Sequence, residues 1–353
     1  MKKAENIIVG ISIGDLNGIG CEVIMKTFED ARMLEMCTPV IFGNVKIVSF
    51  INRSLDIKVA LHGIDKLDQI VLGKINVLNV WREGIDLNFG MADNNVGKYA
   101  IKSFVAATKA LKEGGIDVLV TAPISKTNVQ SEEFKFPGHT DYLNQELEGK
   151  ALMLMVQDNL RVGLLTDHIP VNEVAKHLTE ELIIQKIETI KKSLIQDFSI
   201  VKPKIAVLGL NPHAGDNGVI GKEEEEILKP TIKKMFDNGT LVFGPFPADG
   251  FFGNSQYEKY DAVIATYHDQ GLIPFKTLSF GKGVNYTAGL NKIRTSPDHG
   301  TAFEIAGKNL ADFNSFKEAV YTAIDIFNSR NQHEEISRNP LKIKEKQEER
   351  HNR

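Results

Sequence analysis

Short apolar runs rich in β-branched residues recur along this chain, and segments with a helical period fall between them. The runs are IIVGISI from Ile7, PVIFG from Pro39, VLVTAP from Val118, LMLMV from Leu152, RVGLLT from Arg161, KIAVLGL from Lys204, LVFGPF from Leu241 and DAVIATY from Asp261. Runs of that length read as buried strands, and a chain that alternates them with helices builds a sheet flanked by helices. The pattern predicts an α/β fold whose sheet is largely parallel or mixed. Between the runs, residues 179–196 form the clearest helix: Thr179 caps its start, Glu180 and Glu181 suit its positive end, and Ile183, Ile187, Ile190 and Leu194 share one face. A second helical stretch, SFVAATKALKEGG from Ser103, ends in paired glycines able to take the left-handed geometry of a C-cap. From about Asn331 the chain is dense in charge and poor in large apolar residues, the composition of a frayed helix or disordered tail.

The length of 353 residues and an apolar content of 42% allow two lobes or one large domain. Lysine and arginine number 42 against 46 acidic residues, a formal charge of -4 that offers no field for nucleic acid or an anionic membrane. An anionic ligand must therefore be held by locally placed residues. Cys21 and Cys37 supply neither a disulfide framework nor a thiolate metal cluster, which fits a reducing cytoplasm. The start, MKKAENIIVGISIGD, reads as a first strand rather than a leader, and no apolar run reaches the length of a membrane helix.

Three of the runs end in a polar turn that carries histidine: His168 in VGLLTDHIP, His213 in IAVLGLNPHAG and His268 in DAVIATYHDQG. Ligands of open α/β sheets bind outside the carboxyl ends of strands, where the loops converge. Three imidazoles meeting there can hold a divalent ion and leave a coordination position open. Asp167 and Asp269 adjoin two of them and either orient the rings or bind turn amides. In PGHTDYL, His139 and Thr140 can donate to anionic oxygens, or Thr140 can cap the following helix. Lys276, Asn285 and Arg294 follow among glycines and combine a point charge, an amide and a fork suited to phosphate or carboxylate. His299 and Gly300 precede a helical pattern and can bring backbone amides to an adenosine or pyrophosphate group. The glutamates Glu223–Glu226 suit a helix start, and GDLNGIG at 14–20 reads as a tight strand-to-helix turn because its glycines are not spaced G-x-G-x-x-G.

Taken together, these blocks resemble the 4-hydroxythreonine-4-phosphate dehydrogenase family of vitamin B6 biosynthesis. The resemblance runs from about Ile7 to Asn328 through GDLNGIGCE, TAPISK, PGHTDYL, LNPHAGDNGVIGKEE, GPFPADGFF, YHDQGLIPFK and IRTSPDHGTAFEIAGK, in that order. That family is similar in fold to isocitrate and isopropylmalate dehydrogenases. It implies two lobes, about 1–125 plus 280–330 and about 126–279, with a dimer-forming second lobe, an active site in the cleft between them and a charged tail at 331–353. It also implies that His168, His213 and His268 hold a divalent metal (zinc, magnesium or cobalt) shared across a homodimer interface. His139, Thr140, Lys276, Asn285 and Arg294 would bind a small phosphorylated substrate, and His299 and Gly300 would face the cofactor, NAD or NADP.

The reaction so implied is oxidation of 4-phosphooxy-L-threonine to 2-amino-3-oxo-4-phosphooxybutanoate, which loses carbon dioxide to leave 3-amino-2-oxopropyl phosphate. Asp249, Asp269 or a metal-bound water are the candidate proton acceptors. This chain departs from the family's usual wording at Leu16 and Asn17, at Asp167, where threonine is common, and at Pro297, where valine is common. Three rival readings share the residues: the same oxidation of 4-phosphorylated threonate or erythronate, metal-dependent hydrolysis, and metabolite binding without catalysis.

Overall fold

The computed structural model describes residues 6–125, 128, 136 and 138–339. Its strands are β1 (Ile7–Ser12), β2 (Cys37–Gly43), β3 (Leu61–Ile64), β4 (Ile75–Asn79), β5 (Val118–Thr121), β6 (Gly149–Gln157), β7 (Leu160–Leu164), β8 (Ile205–Leu208), β9 (Val242–Phe246), β10 (Ala262–Ala265), β11 (Val284–Leu290) and β12 (Arg294–Pro297). All join one sheet in the order β3-β4-β2-β1-β5-β12-β11-β6-β7-β10-β8-β9.

From β3 to β12 every neighbouring pair is parallel, and so is every pair from β7 to β9. The three pairs in between, β12–β11, β11–β6 and β6–β7, are antiparallel. The sheet is thus mixed, and its two parallel flanks run in opposite senses. Short connections dictate the middle: a hairpin with Asp158 at φ 46 joins β6 to β7, whereas parallel neighbours need a longer crossover.

Side chains alternate across each strand, and that alternation sorts the core into three clusters. One covers a single face from end to end, taking Val9 and Ile11, Val118 and Val120, Leu152 and Leu154, Ile205 and Val207, and Val284, Tyr286 and Ala288. The helices Glu180–Gln196 and Asn314–Ser337 supply Ile183, Ile187, Ile190, Phe316, Ala319 and Val320 to it. On the opposite face the core is split. Val40, Phe42 and Leu119 pack with the helix Asn94–Glu113, while Met155, Val162, Ala206 and Val263 pack with the helix His268–Ser279. In register, Arg294 lies beside Leu119, and Asn285 beside both Ser296 and Met155. Polar residues of β11 and β12 therefore occupy the strip between the two clusters.

The expected helices form, with Thr179 Oγ1 accepting Leu182 N–H at 3.2 Å and the other helix running Asn94–Glu113 to a left-handed Gly114 at φ 78. The charged stretch after Asn331 continues the helix Asn314–Ser337, and residues 340–353 lie outside those described. Four strands, β3, β4, β11 and β12, were not among the apolar runs because polar residues interrupt them.

Beneath β11, a buried ionic network joins three elements. Asp197 accepts from Arg330 Nε at 2.7 Å, from Tyr286 Oη at 2.6 Å and from Ser193 Oγ at 2.6 Å, and Arg330 Nη2 donates to Tyr286 Oη at 2.8 Å. Removing the carboxylate would leave a largely buried guanidinium without a counter-ion. Asp197→Ala is expected to lower unfolding free energy by about 3–5 kcal/mol, read as a lower Tm and denaturation midpoint.

Candidate active site

A cavity of about 570 Å³ opens over the polar strip. Its size suits a small ligand. The carboxyl ends of β7 and β10 form one wall and stay zipped beyond the regular ladder: Leu165 N–H donates to Ala265 O at 2.8 Å, and Thr166 donates to Thr266 O from N at 3.2 Å and from Oγ1 at 2.7 Å. His168 and His268 each follow two residues after this last rung, and their ring centroids lie 5.7 Å apart. Gln270 braces the same edge, accepting from Thr266 N at 2.7 Å and donating to Gly209 O at 2.6 Å, at the end of β8. Gly271 lets the helix His268–Ser279 lie close on the sheet, since a Cβ there would sit 2.9 Å from Ala265 Cβ and Val162 Cγ1.

His268 Nδ1 meets Asp269 Oδ1 at 2.7 Å. A carboxylate can only accept, so Nδ1 carries the proton and Nε2 keeps its lone pair. Asp269 therefore orients a ring, and it does not line the cavity. Asp167 does line it. His213 does not: it sits exposed at φ 53 in a run of left-handed residues, 213–217. Asn211 holds that loop's start against buried Glu224, with N–H and Nδ2 donating at 2.8 and 2.9 Å, so the glutamate run anchors a loop as well as starting a helix. Within one chain the three strand-end histidines thus do not converge, and among the described residues no group of three or more metal-ligating side chains comes together. Asp249, exposed in the first turn of the helix Ala248–Gly253, also lies outside the cavity.

The opposite wall is built around Arg294, which is 2% exposed. Its Nε and Nη2 donate to Thr121 Oγ1 at 3.0 and 2.6 Å, its Nη1 to Thr287 Oγ1 at 3.2 Å, and its Nη2 to His139 Nδ1 at 3.0 Å. Every partner is neutral. Burial pushes the guanidinium pKa down, because a charge in dry protein without a counter-ion is unfavourable. Arginine only donates, so His139 Nδ1 accepts and Nε2 carries the hydrogen. Burial, and secondarily the Arg294 charge, hold the His139 pKa well below its ordinary 6.5, which keeps the ring neutral. Phe104 fixes that ring edge-on at 4.5 Å between centroids. His139 Nε2 and Asn285 Oδ1 are both buried without a partner. A buried cation with no counter-ion among the described residues, beside an N–H donor with no partner among them, fits an anionic group.

Thr140 lines the cavity from inside the first turn of the helix His139–Glu146, whose N-cap is Gly138, so the capping alternative for Thr140 does not hold. Lys276 lines it as well and donates to Asp298 O at 2.9 Å. His299 and Gly300 close the rim; His299 Nδ1 lies 3.0 Å from Gly300 O, and its Nε2 is buried without a partner, an acceptor for an N–H donor. The GDLNGIG turn is a buttress, since Ile19 N–H donates to Thr301 O at 3.0 Å. Its unusual Asn17 is fully buried and bonds Met91 O and Asn88 N. Pro297 ends β12 in register with Val284. Sequence reading missed Thr121, Thr287 and Ser296; the signal for Thr287 was its two-residue spacing from Asn285 on one strand.

The residues present fit an implied divalent ion. Two imidazoles 5.7 Å apart, one with Nε2 left open by its carboxylate partner, suit a shared divalent ion. Two outcomes follow for the anion end. Arg294→Met is expected to keep or raise Tm, by about 1–4 kcal/mol of unfolding free energy, while abolishing thermal stabilisation by inorganic phosphate; a fall like that of Asp197→Ala would show the guanidinium to be structural. His139 is protonated near 6.5 when unfolded but not when folded, so stability is intact above that value and declines as pH falls below it. Urea midpoints between about pH 7 and pH 5 should therefore fall more steeply for the wild type than for His139→Asn.

Residues 35–323 match the model of the family described as pyridoxal phosphate biosynthetic protein PdxA. A relative from Bacteroides thetaiotaomicron named 4-hydroxythreonine-4-phosphate dehydrogenase is 46% identical over 340 residues, covering 96% of this chain and 93% of its own. One from Oceanobacillus iheyensis, provisionally named a D-threonate 4-phosphate dehydrogenase, is 35% identical over 90% of this chain and 97% of its own. The crystal structure of 4-hydroxythreonine-4-phosphate dehydrogenase from Klebsiella pneumoniae superposes with a TM-score of 0.79 at 32% identity, covering 93% of this chain and 99% of that one. With the family model spanning most of its length and relatives matching nearly end to end, this chain belongs to the pyridoxal phosphate biosynthetic protein PdxA family.

Proposed function

We propose that this protein is a cytoplasmic, homodimeric 4-hydroxythreonine-4-phosphate dehydrogenase that oxidises 4-phosphooxy-L-threonine with NAD and a divalent metal. The observation that carries the reading is the anion pocket: Arg294 is buried with only neutral partners, beside the unpaired Nε2 of His139. Family membership and the relatives' names support the reaction class.

Arg294, His139 and Thr140 take one anionic end of the substrate, and Asn285 and Lys276 contact its middle and far side. Such a fixed cradle orients the secondary alcohol toward the His168 and His268 wall on one side and the 298–300 turn on the other. A divalent ion held by His168 and His268 would supply Lewis acidity toward the substrate's oxygens, and NAD held at the His299–Gly300 rim would supply the hydride acceptor. Asp269 holds the His268 tautomer throughout. His213 and Asp249 reach a cavity only from a second copy. Exposed Val171, Ile273, Val219 and Ile220 flank the turns bearing the three histidines and support an interface there.

The D-threonate-named relative makes 4-phospho-D-threonate the competing substrate, since the anion pocket serves either molecule. Absorbance of reduced nicotinamide during incubation with each substrate, with and without chelator, tests the proposal. Turnover of 4-phosphooxy-L-threonine that chelator stops is expected. Efficient turnover of the hydroxy acid alone would sink the B6 assignment, and phosphate release without reduced cofactor would indicate a hydrolase. Arg294→Lys should lower kcat/KM by on the order of a hundredfold or more, because a point charge cannot reproduce the fork.

A further inference from the structure

We propose that Lys186 is a positioning residue that balances the charge of Asp167 and thereby sets how tightly a divalent cation is held beside His168. The proposal rests on the reading of His168 and His268 as metal ligands.

The helix Glu180–Gln196 buries Ile183, Ile187 and Ile190, and helical spacing puts Lys186 on that same stripe, one turn beyond Ile183 and one turn before Ile190. A lysine there is out of keeping with its neighbours, since lysine is seldom buried unless paired. Its side chain is 14% exposed, and its ammonium emerges 4.0 Å from Asp167 Oδ2, in a carboxylate that is 40% exposed. The other oxygen, Asp167 Oδ1, accepts the backbone N–H of His168 at 3.2 Å. One carboxylate thus meets both the largely buried lysine and the histidine turn.

Asp167 lines the cavity with His168 and His268. Alone, its negative charge would draw a divalent cation toward the two imidazoles. Paired with Lys186, that charge is partly offset, so the site holds the cation without the full pull of a third, anionic neighbour. Because the lysine side chain is largely buried, bulk salt screens the pair less than it would a fully exposed one.

The test is calorimetric titration of zinc(II) into the full-length wild type, Lys186→Met, Asp167→Asn and the double variant. Lys186→Met should tighten Kd by on the order of tenfold, Asp167→Asn should weaken it by a similar factor, and the double variant should return close to the wild type. Lys186→Arg should match the wild type. A purely structural lysine would lower Tm in Lys186→Met and leave Kd unchanged, which would overturn the proposal. If Lys186→Met does not fold, the comparison of Asp167→Asn with Lys186→Arg decides: equal affinities would overturn it. A wild type that takes up no zinc would overturn the metal reading itself, and that result is separate from unequal or equal affinities among binding variants.

Discussion

Two parallel flanks that run in opposite senses can share one sheet only through an odd number of antiparallel junctions. Here there are three, β12–β11, β11–β6 and β6–β7, and the cavity lies over them. Each flank feeds loops toward its own end of the seam. The turns after β7 and β10 bring imidazoles from one side, while the end of β5, with β12, brings Thr121 and the guanidinium from the other. A sheet of uniform direction would put all of these loops on one edge. The reversal instead brings side chains from different flanks of the sheet to opposite walls of one cavity.

β11 shows how one strand serves two electrostatic regimes. Tyr286 points to the continuous core and joins Arg330 to Asp197, so that arginine is matched by a carboxylate. Thr287, the next residue, points the other way and meets an arginine that has no carboxylate. The first arrangement is one that stability favours, and the second is one that stability opposes. Proteins tolerate such a site when an incoming ligand completes it. The neutral, donor-bearing tautomer of His139 follows from the same charge, since a protonated ring beside Arg294 would add repulsion to burial.

The strands that make the core were legible as uninterrupted apolar runs, and the capped helix at 180–196 followed from its apolar stripe. β11 and β12 were not, because Asn285, Thr287, Arg294 and Ser296 break the apolar signal on the very strands that form the floor. The substrate-type residues His139, Thr140, Lys276, Asn285 and Arg294 were marked by their chemistry among glycines, and all five line one cavity. Neutral hydroxyls such as Thr121 carry no such mark; only strand pairing reveals that Thr121 faces Arg294. The three strand-end histidines share a sequence context, but within one chain only His168 and His268 line the cavity, and His213 sits on a run of left-handed backbone at 213–217 that spacing does not encode.

The zipped threonines have a consequence for how this protein can change. Because His168 and His268 leave the sheet at matching steps beyond Thr166 and Thr266, strand register sets where their two backbones stand, and the rings lie 5.7 Å apart. Substitutions around the rings can alter the polarity of that wall gradually. Insertion or deletion of a single residue between the last rung and either histidine instead shifts that ring by a whole residue relative to its partner. The neighbourhood of the two histidines is therefore open to drift in composition but closed to drift in length.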